Sequence, residues 1–395
     1  MLMHLFKLIW KRKKSNSLII AEVAIAFMIV FAIASTAIHH YKLYVKPLGF
    51  EYHNMWNISF SGISEPWLDE RDPAQLQQLV NHLKQQPEIQ RVQLLKNPTF
   101  KNWSWTSSYE INGRQINFLG NSMDDGAPET FGMTLIKGRW FGLQDEGQSY
   151  EPVIVNRLFV ERFYPNEEPI GQNVAPNEKV EDKNLIEQRV VGVFEDFRQI
   201  GELYKLTPYL IKRYDITNGG EIHNIEIKLA EGINIAYEEK LTELLSGIAP
   251  NWKFNISPWE ESRQIALEET LVPLVFGAII ASFFILLVAM GLFGVLWQNV
   301  TSRTPEIGLR RAVGATTKGL HLQIISELLI VTSLGIVIAF ILLVQLPILG
   351  DLSWSLFWSG QAASVLFMIL LSVSCAYYPG KLATKLSPAE ALHYE

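Results

Sequence analysis

The chain has a single cysteine, Cys375, in 395 residues, so no disulfide can form within it and any large folded region must be held by its own buried core. It has no Gly-x-x-x-x-Gly-Lys-Ser/Thr loop, the segment whose backbone amides wrap nucleotide phosphates, which removes that route to ATP binding. Its one adjacent histidine pair, His39 and His40, lacks the further His, Cys or Asp at ligand spacing that a metal site needs. An excess of Lys and Arg is also missing: the net charge is -6, which argues against a nucleic-acid surface. No catalytic residue, metal ligand or cofactor site is nominated. Charged residues make up only 19% of the chain and hydrophobic ones 48%, with a mean hydropathy of +0.12. That balance suits neither an ordinary water-soluble domain nor a chain made only of membrane helices, so the apolar residues must be concentrated.

They lie in four runs, Leu18 to Ile38, Leu271 to Trp297, Ile324 to Leu346 and Trp358 to Tyr378. Each is near or above the ~20 residues a helix needs to span a bilayer. The second carries no charge over 27 residues, about 40 Å of helix, so it must tilt or continue beyond the hydrocarbon. Lys11, Arg12, Lys13 and Lys14 precede the first run, Arg303, Arg310, Arg311 and Lys318 lie between the second and third, and Lys381 and Lys385 follow the fourth, while 347–357 has none. Basic residues stay on the cytosolic side, so both termini are expected inside and residues 39–270 outside the membrane. The expected order is an amphipathic cytosolic helix within 1–17, spans at 18–38, 271–299, 323–346 and 358–379, a cytosolic loop at 300–322, an external loop at 347–357 and a cytosolic tail at 380–395.

The external region reads as α+β. Leu76, Leu79, Val80 and Leu83 recur at helical spacing in Gln75 to Gln85, flanked by strand-like Met55 to Phe60 and Arg91 to Leu95. A second such set is Asn224 to Leu229, Ala236 to Leu245 and Lys253 to Ile256. Two β-α-β units at the ends imply one porter-like domain interrupted by an insertion at about 97–221. That insertion is mainly β, with short alternating segments at Gln115 to Leu119, Pro152 to Val155 and Arg189 to Phe194. The fold class is thus a four-span helical membrane protein with a large α+β extracytoplasmic domain.

The cytosolic loop is the most informative segment. Thr304 can cap free amides, Pro305 suits the first helical turn, and Glu306 suits the positive helix N-terminus. Glu306 and Arg310 are spaced i,i+4, Leu309, Ala312 and Val313 fall on one side, and Gly314 supplies a stop. A loop of this kind is usually shapeless; a helix here, with the cationic pair Arg310 and Arg311, reads as a surface that couples to another protein, the plainer alternative being a helix in the lipid headgroups. Glu22 and Glu327 lie inside apolar runs near their cytosolic ends, where snorkelling or pairing with Arg is expected rather than a transport role.

These residues resemble the FtsX-like permeases of the MacB-like, macrolide-exporter class of ABC transporters. The family's cytosolic pattern, Arg-x-x-Glu-Ile-x-x-Arg-Arg-Ala-x-Gly-Ala, is matched by Arg303, Glu306, Ile307, Arg310, Arg311, Ala312, Gly314 and Ala315. Pro152 to Asn156, Phe163 to Pro165, Pro169 to Gly171, Val190 to Phe197 and the ending Ser387 to Leu392 are similar to further family segments. The resemblance implies a permease that hydrolyses no ATP itself and is driven by a separate cytosolic ABC ATPase, which binds ATP and Mg and docks beneath Thr304, Pro305, Glu306, Ile307, Arg310, Arg311, Val313, Gly314 and Ala315. It implies a bacterial inner-membrane location and a second permease subunit, the same or homologous, with a periplasmic adaptor and outer-membrane channel as further partners if the machine is an exporter. The expected cargo is an antimicrobial, peptide, lipoprotein or similar amphiphile, moved by mechanotransmission outside the membrane. A transmembrane regulator of a cell-wall hydrolase and a membrane-anchored binding receptor are the alternatives.

Overall fold

The computed structural model describes residues 13–62, 73–101, 105–111, 114–174, 187–214, 224–350 and 352–383. Most of the expected N-terminal amphipathic helix and the Ser387 to Leu392 ending lie outside them. The chain divides into two compact units, Leu43–Leu271 and a unit built from Met1–Lys42 and Val272–Glu395.

The first helix, α1 (Lys13–Tyr44), is followed by β1 (Met55–Gly62), α2 (Pro73–Lys84) and β2 (Ile89–Leu95). Next come β3 (Trp105–Ile111), β4 (Arg114–Met123), α3 (Ala127–Phe131), β5 (Leu135–Gly138), β6 (Tyr150–Asn156), α4 (Arg157–Phe163), β7 (Glu187–Phe194) and β8 (Tyr209–Arg213). The unit closes with β9 (Asn224–Leu229), α5 (Tyr237–Ile248) and β10 (Trp252–Pro258). The two terminal β-α-β sets interleave in the order β10-β1-β9-β2, the split β-α-β arrangement in which each crossover spans a strand of the other set. Leu76, Leu79, Val80 and Leu83 of α2 and Leu241 and Leu245 of α5 are buried against Ile58, Ile225 and Ile227. Their apolar spacing is that of one helix face over one sheet face.

The insertion does not build a sheet of its own. The pair Leu95↔Met123 joins β2 to β4, and the order runs on through β8, β6, β7 and β5, giving a single sheet of ten strands among the described residues. A buried asparagine fixes one corner: Asn156 Oδ1 accepts from Phe159 N at 2.9 Å, capping α4, and from Tyr209 N at 2.8 Å, tying it to β8. A second core collects Phe50, Phe100, Phe131, Phe197, Tyr209 and Trp259.

The membrane unit contains α6 (Trp259–Thr301) from Val272 onward, α7 (Thr304–Ala312), α8 (Thr317–Leu343), α9 (Gln345–Ile348) and α10 (Trp354–Ala383). Among the described residues four helices, including α1, are long and apolar enough to cross a membrane. The fourth begins at Trp354 rather than near Trp358, because Ser353 caps it: its Oγ accepts from Leu356 N at 3.4 Å. Within this unit α1 is the hub. A Cβ on Gly291 of α6 would come within 2.9 Å of Glu22 Oε2, one on Gly335 of α8 within 2.6 Å of Val23 Cγ1, and one on Gly360 of α10 within 3.1 Å of Phe31. Such small residues let helix backbones approach closely where lipid offers no hydrophobic drive.

Candidate coupling site

The segment between α6 and α8 is helical, as its spacing predicts, but its start differs. The N-cap position is Arg303, which makes no side-chain cap bond, and Thr304 is the first helical residue. Thr304 Oγ1 donates backward to the carbonyls of Thr301 at 2.9 Å and Val300 at 3.4 Å, so it serves the end of α6 rather than capping the amides of α7. Pro305 occupies the first turn, where an amide would go unpaired in any case. At the other end Gly314 has φ +101°, with Gly314 N donating to Arg311 O at 3.0 Å and Ala315 N to Arg310 O at 2.9 Å. That paired geometry is a Schellman stop, and it explains why glycine stands there.

A polar chain fastens α7 to its neighbours. Glu306 and Arg310 pair at 2.6 Å, Arg310 donates to Gln323 Oε1 at 3.2 Å, Gln323 to Glu327 Oε1 at 3.2 Å, and Arg303 to Glu327 Oε2 at 2.7 Å. Glu327 thus finds the Arg partner its position demands. Gln323, which spacing alone did not single out, is the link; its signal is the i,i+4 relation to Glu327. Glu22 behaves otherwise: among the described residues its Oε2 is buried with no hydrogen-bond partner, against Gly291. The structure brings Glu327 into the site and leaves Glu22 outside it.

Beneath the polar chain Ile307 is buried with Leu320, beside Val300 and Ile324. The stripe Leu309, Ala312 and Val313 points the other way, with Leu309 56% and Val313 83% exposed. The helix is therefore anchored by Ile307 and presents its remaining apolar side chains outward.

A second set of polar ties lies in Leu43–Leu271. Arg198 is buried, and its guanidinium donates to Leu43 O at 2.8 Å, Lys46 O at 3.1 Å, Tyr204 O at 2.8 Å and also Glu202 O. Burial pushes its pKa down, partly offset by Glu202 and Asp196 nearby. The Glu202 carboxylate bonds Arg263 in α6. Four residues earlier, fully buried Trp259 donates to Glu226 Oε2 at 2.7 Å, and Asn57 donates to Glu226 Oε1 at 2.8 Å. Burial pushes the Glu226 carboxyl up to about 7. The carbonyls of Leu43 and Lys46, at and just past the end of α1, and the first turns of α6 are thereby tied to one loop and one sheet. These residues carried no local sequence signal beyond a Trp at a helix start. Among the described residues no group of His, Cys, Asp and Glu could hold a metal ion.

Two family models match. Residues 18–244, more than half of the chain, fit the MacB-like periplasmic core domain, and residues 278–388 fit the FtsX-like permease C-terminal. Macrolide export ATP-binding/permease protein MacB of Mannheimia succiniciproducens is 27% identical over 274 residues, 67% of this chain and 41% of that protein. Its counterpart in Bdellovibrio bacteriovorus is 26% identical over 283 residues, 66% of this chain and 42% of that protein. The chain thus spans about two fifths of the length of these curated relatives. The crystal structure of the periplasmic region of MacB from Actinobacillus actinomycetemcomitans is also similar, at 20% identity and TM-score 0.39, covering 57% of this chain and 97% of that one.

Proposed function

The chain belongs to the family of FtsX-like, MacB-like ABC transporter permeases, and we propose that α7 is the helix on which a separate ABC ATPase, carrying ATP and Mg, docks and pushes. The observation that carries this reading is the mounting of α7: braced by the Glu306–Arg310–Gln323–Glu327–Arg303 chain and by Ile307, yet offering exposed Leu309 and Val313. A braced helix transmits force; an exposed apolar stripe needs a partner. Thr304, Pro305, Glu306, Ile307, Arg310, Arg311, Val313, Gly314 and Ala315 form the docking segment. In this reading the basic clusters and both termini are cytosolic, and Leu43–Leu271 lies in the periplasm.

Displacement of α7 would move α6, whose 43 residues span about 65 Å and whose first turns hold Glu226 and Glu202. The outcome is mechanotransmission: periplasmic movement that exports or releases an antimicrobial, peptide, lipoprotein or similar amphiphile, with a second permease subunit completing the assembly. A periplasmic adaptor and outer-membrane channel belong to the export form of this machine.

The test is purification from the native membrane in mild detergent with ATPase assay of the eluate, for the wild-type chain and for Leu309→Asp with Val313→Asp. We expect ATPase activity with the wild type and its loss with the variant at unchanged helix content. An ATPase retained equally by the variant would overturn the assignment of the docking helix, and recovery with a hydrolase would redirect the output from export to cell-wall regulation.

A further inference from the structure

A small cavity of about 140 Å³ lies in Leu43–Leu271, between the loop that follows β7 and residues 266–270 of α6. Its room comes from small residues that face each other: a Cβ added to Gly201 would stand 3.5 Å from Phe100 Cδ1 and 3.9 Å from Ala266 Cβ. Phe100, which also packs on Phe50 and Trp259 at 5.5 Å and 5.8 Å between ring centroids, lines the cavity together with Tyr204 and Leu267. The volume exceeds the ~30 Å³ share of one water and falls short of the ~300–1,000 Å³ of pockets that enclose a drug-sized molecule. It suits a small chemical group rather than a whole cargo.

The charged side chains of the lining are two carboxylates, Glu202 and Glu269, and among the described residues no Lys or Arg lines it. Glu202 is 5% exposed. Its Oε1 accepts from Arg263 Nε, whereas Oε2 is buried with no hydrogen-bond partner among the described residues. Arg263 lies with its guanidinium 4.9 Å from the centroid of the Tyr52 ring, and Arg198 bonds the backbone carbonyl of Glu202 rather than its carboxylate. Arg263 thus offsets the charge of Glu202, and Glu269 adds a second negative charge to the lining. A buried carboxylate oxygen without a partner is costly, and what it lacks is a donor. A primary ammonium carries three N–H donors and a positive charge, and an aromatic ring beside it adds attraction through its negative face. A quaternary ammonium brings the charge without the donors.

Along α6 the lining ends at Thr270, and Leu271 opens the uncharged run that continues to Trp297. A charged residue at the end of an uncharged span sits among headgroups rather than in hydrocarbon, which puts Glu269 within reach of their amines. We propose that the cavity binds a primary ammonium group on a short stem, held by Glu202 Oε2 and Glu269 beside the Phe100 ring. The amine of a phospholipid headgroup and a free primary amine share that chemistry. The site does not depend on the ATPase-docking reading.

The test uses the full chain in mild detergent. Native mass spectrometry counts the lipid retained after titration with phosphatidylethanolamine, phosphatidylcholine or phosphatidylglycerol, and thermal unfolding is followed with free ethanolamine or choline added. One phosphatidylethanolamine should be held about tenfold more tightly than phosphatidylcholine, a difference of about 1.4 kcal/mol. Glu202→Gln keeps an oxygen for Arg263 but removes the charge, and Ala266→Leu fills the cavity from α6 and leaves both carboxylates; each should erase that preference. Glu269→Gln, at an exposed residue, should weaken it and remains readable if either of the others disturbs the fold. A phosphatidylethanolamine preference lost in these variants supports the site with a lipid as the source of the amine. No lipid preference, but a rise in unfolding temperature with ethanolamine and not choline that Ala266→Leu removes, supports it with a free amine as the source. Neither effect in the wild type, a preference for phosphatidylglycerol, or effects that survive Ala266→Leu would each overturn the proposal and leave a cavity that holds water only. No ATPase enters the assay, so its failure leaves the coupling reading untouched, and failed coupling leaves amine binding measurable.

Discussion

In Leu43–Leu271 the largest fully buried side chain, Trp259, stacks on Phe131 at 5.5 Å between ring centroids and meets Phe50 and Phe100 edge-on, whereas in the membrane unit three glycines, Gly291, Gly335 and Gly360, stand where a Cβ would press on α1. One unit centres on a buried tryptophan; the other buries Phe27 and Phe357 and adds close helix contacts at glycines. In water, each large apolar side chain removed from solvent contributes in proportion to its area, so aromatic bulk at the centre is favoured. In lipid, the tails are as apolar as leucine, and helices associate through close backbone contact instead. Polar groups follow the same division. The water-exposed unit buries Asn57, Glu226 and Arg198 among hydrogen bonds; the membrane unit keeps its ion pair Arg303–Glu327 beside the α6–α7 junction and, between spans, the hydroxyl pair Thr332–Ser372 at 2.9 Å.

The hardest test of that contrast is Trp259→Ala. It should destabilise the extramembrane unit by about 3–5 kcal/mol, the cost of emptying an aromatic site, with the four membrane helices retained; thermal unfolding followed by far-UV circular dichroism and limited proteolysis separates the two. The counterpart in lipid is Gly335→Leu, whose Cβ alone would lie 2.6 Å from Val23 Cγ1 and 3.0 Å from Ile20 O. A loss of about 1–3 kcal/mol, as for overpacked cores, is expected in the membrane unit, seen as detergent-induced unfolding at lower denaturant while the sheet domain melts normally. If the leucine were tolerated, close approach to α1 would not be what holds the helices.

The polar side of the contrast can be sharpened with pH. Glu226 stays protonated in the folded chain up to about 7 against an ordinary value of 4.5. Between those two values the folded state holds a proton the unfolded chain has released, so stability is greatest below this window and falls as pH rises through it. Glu226→Gln should flatten that part of the melting-temperature profile; a slope that survives in the variant would assign it to another group. The smallest effect on stability is expected at Glu306→Gln, where an exposed i,i+4 pair is worth about 0.3–0.5 kcal/mol. The same change should measurably weaken ATPase coupling in reconstituted membranes, and intact coupling would remove Glu306 from the docking segment.

Much of this architecture was legible in the order of residues. Four apolar runs, the 3.6-residue spacing of Leu76, Leu79, Val80 and Leu83, and the Pro305 and Gly314 bracket around Glu306–Arg310 each report a local preference, because helix periodicity and turn geometry are set within a few residues. The family pattern at Arg303 to Ala315 is of the same kind. What tertiary structure alone decided was partnership: that β9 slips between β1 and β2, that the insertion joins their sheet through Leu95↔Met123, that Glu327 finds Arg303 while Glu22 Oε2 has no partner among the described residues, and that Arg198 gathers carbonyls from both Leu43 and Tyr204. Those contacts join residues far apart in the chain. Their energies depend on which distant groups are excluded from water together, a quantity that no short stretch of sequence contains.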